Sequence, residues 1–73
     1  MNQYTVKYYT SGGYKTSGSL ETDLTIKKDP NNQLCLYNED TLIGDIEKIE
    51  ALFLEQLGYQ ESITVFDVEL MSE

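Results

Sequence analysis

The hydrophobic period of this chain changes twice, and that change restricts the fold more than any other feature. From Asn2 to Tyr9 side chains alternate, with Tyr4, Val6 and Tyr8 on one face and Thr5, Lys7 and Tyr9 on the other. Alternation with a period of two is the mark of a half-buried strand. Leu42, Ile46, Ile49, Phe53 and Leu57 then recur at spacings of three and four, which is one face of a helix. From Ile63 to Met71 the period returns to two, with Thr64, Phe66, Val68 and Leu70 against Ile63, Val65, Asp67 and Glu69. The start of that last stretch is apolar on both faces, as in a central strand.

Turn chemistry divides the first half. Ser11-Gly12-Gly13 supplies the positive φ that a tight hairpin needs. Tyr14 to Thr16 begins the return strand, and Ser17-Gly18-Ser19 reads as a bulge or loop. Leu20, Thr22, Leu24 and Ile26 alternate with Glu21, Asp23, Thr25 and Lys27, which predicts one half-buried strand. Asp29-Pro30-Asn31-Asn32 is a turn, because proline presets φ and asparagine tolerates left-handed geometry. Gln33 to Tyr37 returns as a short strand with Leu34 and Leu36 facing one way. A helix is predicted over about 44–57, with room to extend back to Thr41. Asp45 and Glu47 lie in its first turn, where carboxylates meet the positive end of the dipole. Gly58 stands at the C-cap. The order is β-β-β-β-α-β: an α+β fold in a single domain spanning residues 1–73, with one helix on a mainly antiparallel sheet of four to five strands. The expected core is Leu24, Ile26, Leu36, Ile46, Ile49, Phe53, Phe66 and Val68.

Seventy-three residues make a thin core. Cys35 is the sole cysteine, so no disulfide staples the chain, and a lone thiol suits a reducing cytoplasm. No secretory signal is expected, because no basic segment precedes an apolar run. No stretch approaches the length of a membrane span.

Charge is unevenly divided. Residues 1–38 carry Lys7, Lys15, Lys27 and Lys28 against Glu21, Asp23 and Asp29, a net of +1. Residues 39–73 carry Lys48 against ten acids, a net of −9. The acids are Glu39, Asp40, Asp45, Glu47, Glu50, Glu55, Glu61, Asp67, Glu69 and Glu73. The total of −8 opposes binding to nucleic acid or an anionic membrane and favours basic partners. There is no His and no Arg. Acid–base chemistry near neutral pH would fall to a perturbed carboxylate, Cys, Lys or Tyr, and nothing can grip a phosphate with a planar fork.

The motifs that suggest chemistry have plainer uses. Asp29, Asn31 and Gln33 imitate the opening of an EF-hand, but the sixth position, which needs glycine, is Leu34. A hairpin turn is the better reading. Asn38, Glu39, Asp40 and Asp45 are oxygen-rich, and helix capping is the expected use. No metal or cofactor is expected. Cys35 lacks a histidine to activate it, and between Leu34 and Leu36 it reads as a small buried hydrophobe. Tyr4, Tyr8, Tyr9 and Tyr14 beside Lys7 and Lys15 resemble a base-stacking surface. Tyrosine also makes good cross-strand pairs, and the net charge opposes a nucleic-acid ligand.

On a helical wheel Glu47, Ala51 and Glu55 lie opposite Ile46, Ile49 and Phe53, with Lys48 close by. A solvated face normally mixes signs. Here one lysine meets many acids, and the self-repulsion costs stability, which argues for a role in binding. Leu52 and Leu54 fall on the flanks of the apolar stripe, roughly 100° to either side. One sheet cannot easily cover so wide an arc, so a second packing partner at these two residues is a further expectation, either another copy of the chain in a homodimer or a target protein. In general character the chain is similar to the small phage-encoded inhibitors of host nucleic-acid enzymes, such as anti-CRISPR proteins and uracil-DNA glycosylase inhibitors. That resemblance of composition implies carboxylates placed where a target expects phosphates. The expectation is therefore a non-enzymatic cytoplasmic binding protein, an inhibitor whose acidic surface occupies the basic channel of a nuclease or other nucleic-acid-binding protein. Its contact residues would be Glu39, Asp40, Asp45, Glu47, Glu50 and Glu55, with Glu61, Asp67 and Glu69 as extensions. The rival reading is a self-associating accessory module whose acidity serves solubility.

Overall fold

The computed structural model describes residues 1–58 and 62–72. Its elements are β1 (Asn2–Tyr9), β2 (Lys15–Thr22), β3 (Thr25–Lys28), β4 (Leu34–Asn38), β5 (Thr41–Asp45), α1 (Ile46–Leu57) and β6 (Thr64–Ser72). They form an α+β fold of two three-stranded antiparallel sheets, ordered β2-β1-β6 and β3-β4-β5, and one helix. The single sheet of four to five strands is corrected to two sheets. The cause lies at two places.

The first is the stretch from Leu20 to Lys27, which alternates like one strand but is two. The chain leaves the first sheet at Thr22 and enters the second at Thr25. The Thr22 hydroxyl oxygen accepts from the Leu24 N–H at 3.1 Å, which bends the backbone. The Tyr4 hydroxyl accepts from the Ile26 N–H at 3.0 Å and donates to the Leu24 carbonyl at 3.4 Å. Asn2 donates to the same carbonyl at 3.0 Å. Alternation is preserved across the bend, so Leu20 and Ile26 both stay buried. Tyr4 is only 3 % exposed. Tyr4→Phe would leave a buried Ile26 N–H without a partner and is expected to cost about 1–3 kcal/mol by denaturant unfolding. An unchanged midpoint would show that Tyr4 does not hold the crossing.

The second is β5. Leu42 fits the helical stripe, yet Thr41–Asp45 is an edge strand and Leu42 is 59 % exposed. The helix begins at Ile46 because Asp45, in extended geometry, caps it: its carboxylate accepts from the Glu47 N–H at 3.1 Å. Gly44 permits the sharp return, since a Cβ there would meet Lys48 Cβ at 2.6 Å. At the other end Gly58 has φ 72° and donates to the Leu54 carbonyl at 2.9 Å, the expected left-handed cap.

The core is built from Tyr4, Val6 and Tyr8 of β1, Leu20, Ile26, Leu34 and Leu36, the helix residues Ile49 and Phe53, and Ile63 and Val65. Phe53 meets Tyr8 edge to face at 5.1 Å. Ser17-Gly18-Ser19 is neither bulge nor loop but plain strand, with Gly18 opposite Val6. The glycine makes room for Phe53, whose Cζ would lie 2.9 Å from a Cβ at that site. Leu24, Ile46 and Val68 are half-buried against the core rather than enclosed in it. Phe66 lies outside it, 42 % exposed. In the β1–β6 pairing Tyr8 faces Val65 while Lys7 faces Asp67, so Phe66 is the extra residue of a bulge. A bulge reverses the parity of a strand. It turns Val65 inward and Phe66 outward, against the Tyr9 ring at 4.8 Å.

Candidate acidic interaction surface

The expected contact residues fall on one continuous piece of chain, from the β4–β5 turn through β5 into α1. Glu39 and Asp40 form the turn between Asn38 and Thr41, with Glu39 in left-handed geometry at φ 57°. Both are exposed. Five residues later Asp45 caps the helix, and the exposed Glu47 opens its first turn. Glu55 lies two turns on, roughly 12 Å along the axis from Glu47, and is also exposed.

Glu50 differs from its neighbours. It is half-buried, and its carboxylate accepts from the Val65 N–H of β6 at 2.8 Å. This bond ties helix to strand and gives the carboxylate a structural task. Glu50→Lys is therefore expected to lower stability by about 1.5–3 kcal/mol, the range for a hydrogen bond to a charged group. Equal unfolding midpoints for Glu50→Lys and Glu47→Lys would contradict that role.

The lysines divide the acids into two classes. Lys7 pairs with Glu69 at 3.2 Å and Lys28 with Asp67 at 3.5 Å. Lys15 lies 5.8 Å from the ring centres of both Tyr9 and Phe66, and Lys27 lies 4.4 Å from that of Tyr37. Lys48 rests its stem over Gly44. Among the described residues no ion pair joins a lysine to Glu39, Asp40, Asp45, Glu47 or Glu55. Asp67 and Glu69 are thus compensated, while the segment from Glu39 to Glu55 is not. Glu61 lies outside the described residues.

Leu52 and Leu54 are half-buried and pack against the core cluster. Two sheets embrace the helix where one was expected. Besides its packing on β4, β5 and β6, its far end reaches β2, where Gln56 accepts from the Glu21 N–H at 3.2 Å and donates back to the Glu21 carbonyl. The wide apolar arc that suggested a partner copy is largely covered by the chain itself. Exposed apolar groups lie elsewhere, at Leu42 and Ile43 on β5 and at Phe66, Leu70 and Met71 on β6. β5 escaped the sequence reading because Leu42 fits two periods at once. The signal for it was the turn-forming Asn38-Glu39-Asp40 just ahead of Leu42-Ile43.

The other chemical candidates have local tasks. The Asp29 carboxylate accepts from the N–H groups of Asn31 and Gln33, each at 2.9 Å, and so closes the β3–β4 turn. Among the described residues no three Cys, Asp or Glu side chains gather as a metal site would require. Cys35 is buried, and its thiol points to the Gln33 carbonyl at 3.7 Å and an Asp29 oxygen at 3.9 Å. Burial pushes its pKa above the ordinary value, and the charges of Asp29 and Asp45 push it further. The thiol stays protonated near neutral pH and is a poor nucleophile. Alkylation by iodoacetamide at mildly alkaline pH is expected to run about tenfold or more slower in the folded chain than in denaturant. Equal rates would overturn this account of Cys35. Among the described residues no helix is long and apolar enough to cross a membrane. No protein-family model, curated protein or solved structure matches the chain.

Proposed function

We propose that this chain is a non-enzymatic binding protein whose acidic surface occupies the basic nucleic-acid-binding surface of a target protein, and so inhibits it. The observation that carries the reading is the contrast between paired and unpaired acids. Asp67 and Glu69 have lysine partners, whereas Glu39, Asp40, Asp45, Glu47 and Glu55 are exposed along one segment without any among the described residues. Uncompensated like charge costs a small domain stability, and a cationic partner recovers that cost on binding. The absence of His, and a buried Cys35 whose pKa is pushed upward by burial and the nearby Asp29 and Asp45, favour binding over catalysis.

Glu50 contributes to the field, though its carboxylate is engaged within the chain. The ion pairs at Asp67 and Glu69 make β6 a weaker candidate for the contact. Self-association through Leu52 and Leu54 has less support, because both pack against the chain's own core.

The test is capture from a bacterial cell lysate on the immobilised chain, followed by elution with soluble duplex DNA or RNA. A target held through its nucleic-acid site is released by nucleic acid and by salt. A target that stays bound in excess nucleic acid contradicts the reading.

A further inference from the structure

The proposed function leaves open how a partner engages the acidic segment, and the second sheet offers a specific mode. β5 is an edge strand. β4 pairs with one of its sides, and no strand pairs with the other among the described residues. Thr41, Leu42 and Ile43 are exposed in succession, Leu42 at 59 % and Ile43 at 40 %. An open groove of about 490 Å³ lies over β5 and the neighbouring β4, lined by Cys35, Leu42, Ile43, Gly44, Asp45 and Lys48.

Proteins usually blunt such an edge with lysine, proline or a bulge, because unpaired backbone groups recruit other strands. The β3 edge of the same sheet carries Lys27 and Lys28. β5 carries no lysine and no proline. It carries a bulge at Ile43, where Gly44 faces Leu36 and Leu42 faces Tyr37. That bulge limits regular pairing to a short segment and leaves both apolar side chains in solvent.

Charge selects the occupant. Glu39 and Asp40 stand at one end of β5, and Asp45 and Glu47 at the other. A second copy of the chain laid antiparallel along β5 sets Glu39 and Asp40 against its partner's equivalents of Asp45 and Glu47. Laid parallel, it sets each acidic end against itself. Both arrangements oppose like charges directly, which destabilises a strand pair. Among the described residues Lys48, on the helix side, is the one cation that lines the groove.

We propose that the free edge of β5 takes up an extended segment of the partner protein as a fourth strand, a segment cationic at both ends and apolar in its middle. Main-chain hydrogen bonds to β5 supply affinity, and Leu42 and Ile43 meet the apolar centre. The acids at the two ends fix the segment in place. The proposal rests on the reading of the chain as a binder of basic protein surfaces and adds the mode of contact.

The experiment titrates the isotope-labelled full chain with the synthetic peptide Lys-Arg-Val-Thr-Val-Thr-Arg-Lys and follows backbone amides by NMR. Shifts and slowed amide exchange are expected at Thr41 to Asp45. Replacing the two central residues of the peptide by Pro-Pro keeps its charge but removes strand pairing, and should weaken binding by about tenfold or more. Exchanging its terminal cations for Glu should abolish binding. Leu42→Lys, at an exposed position, should do the same without loss of folding.

Equal affinity for the Pro-Pro peptide overturns strand addition, as do shifts confined to the helix face around Glu47 and Glu55. In both cases the acidic-surface reading survives, because the binding is still cationic. Failure of every basic peptide to bind at low salt, or sedimentation showing a dimer that Leu42→Lys dissociates, also overturns the proposal. Binding at β5 by a target that nucleic acid does not displace would instead spare strand addition and refute the nucleic-acid-site reading alone.

Discussion

Phe53→Ala is expected to be among the most destabilising single substitutions in this chain, at a cost of about 3–5 kcal/mol. Phe53 is 0 % exposed and sits where helix and first sheet meet, edge to face with Tyr8 and against Gly18. Truncating a buried phenylalanine costs about 3–5 kcal/mol through lost transfer energy and the cavity left behind. A domain of this size holds only about 4–11 kcal/mol in total. The loss therefore removes between about a quarter and all of the stability, and the melting temperature should fall by about 12–40 °C or the transition vanish. No disulfide offsets the loss, since Cys35 stands alone.

The same contact can be approached from the other side. Gly18→Ala puts a methyl group 2.9 Å from Phe53 Cζ, against a ring that is fully buried. The expected cost is about 1–3 kcal/mol, the range for overpacking. Phe53→Leu removes the far edge of the ring, so the Gly18→Ala penalty should shrink in that background. Non-additivity in this double-mutant cycle reports the contact directly. Strict additivity would mean that Gly18 is not the seat of the Phe53 ring.

Phe53 also shows how far the fold was legible in the sequence. Its place in the stripe with Ile49 follows from helical spacing alone, and both are fully buried. The hairpin turns and the Gly58 cap were legible because glycine, proline and asparagine act through local backbone geometry. What escaped depends on non-local pairing. The change of sheet around Asp23 is held by the Tyr4 hydroxyl, through bonds to Leu24 and Ile26 about twenty residues away in the chain. The outward turn of Phe66 depends on a bulge that exists only against β1. Gly18 resembled a break because its reason, an aromatic ring from the helix, lies thirty-five residues downstream. The candidate surface was legible as charge but not as geometry. Composition located the acids, and only tertiary contacts separate Glu50, Asp67 and Glu69, which have partners within the chain, from Glu39, Asp40, Glu47 and Glu55.

That separation makes the charge-reversal experiment specific. Glu47→Lys with Glu55→Lys should leave folding intact. Both side chains are exposed, and lysine is as good a helix former as glutamate. Affinity for the captured target should fall by about tenfold or more, mainly through the on-rate, because opposite fields steer the encounter. The loss should narrow as salt rises and screens those fields within about 8–10 Å. Reversal of Asp67 and Glu69 should cost less, since Lys7 and Lys28 already compensate them.

The most direct measurement is the association rate of the target with the unmodified chain and with the Glu47→Lys, Glu55→Lys variant, each across a salt series and with nucleic acid as competitor. The account predicts a fast, steeply salt-dependent rate for the unmodified chain, a slower and flatter one for the variant, and mutually exclusive binding with nucleic acid. Equal rates for the two proteins, or a ternary complex of chain, target and nucleic acid, would contradict it.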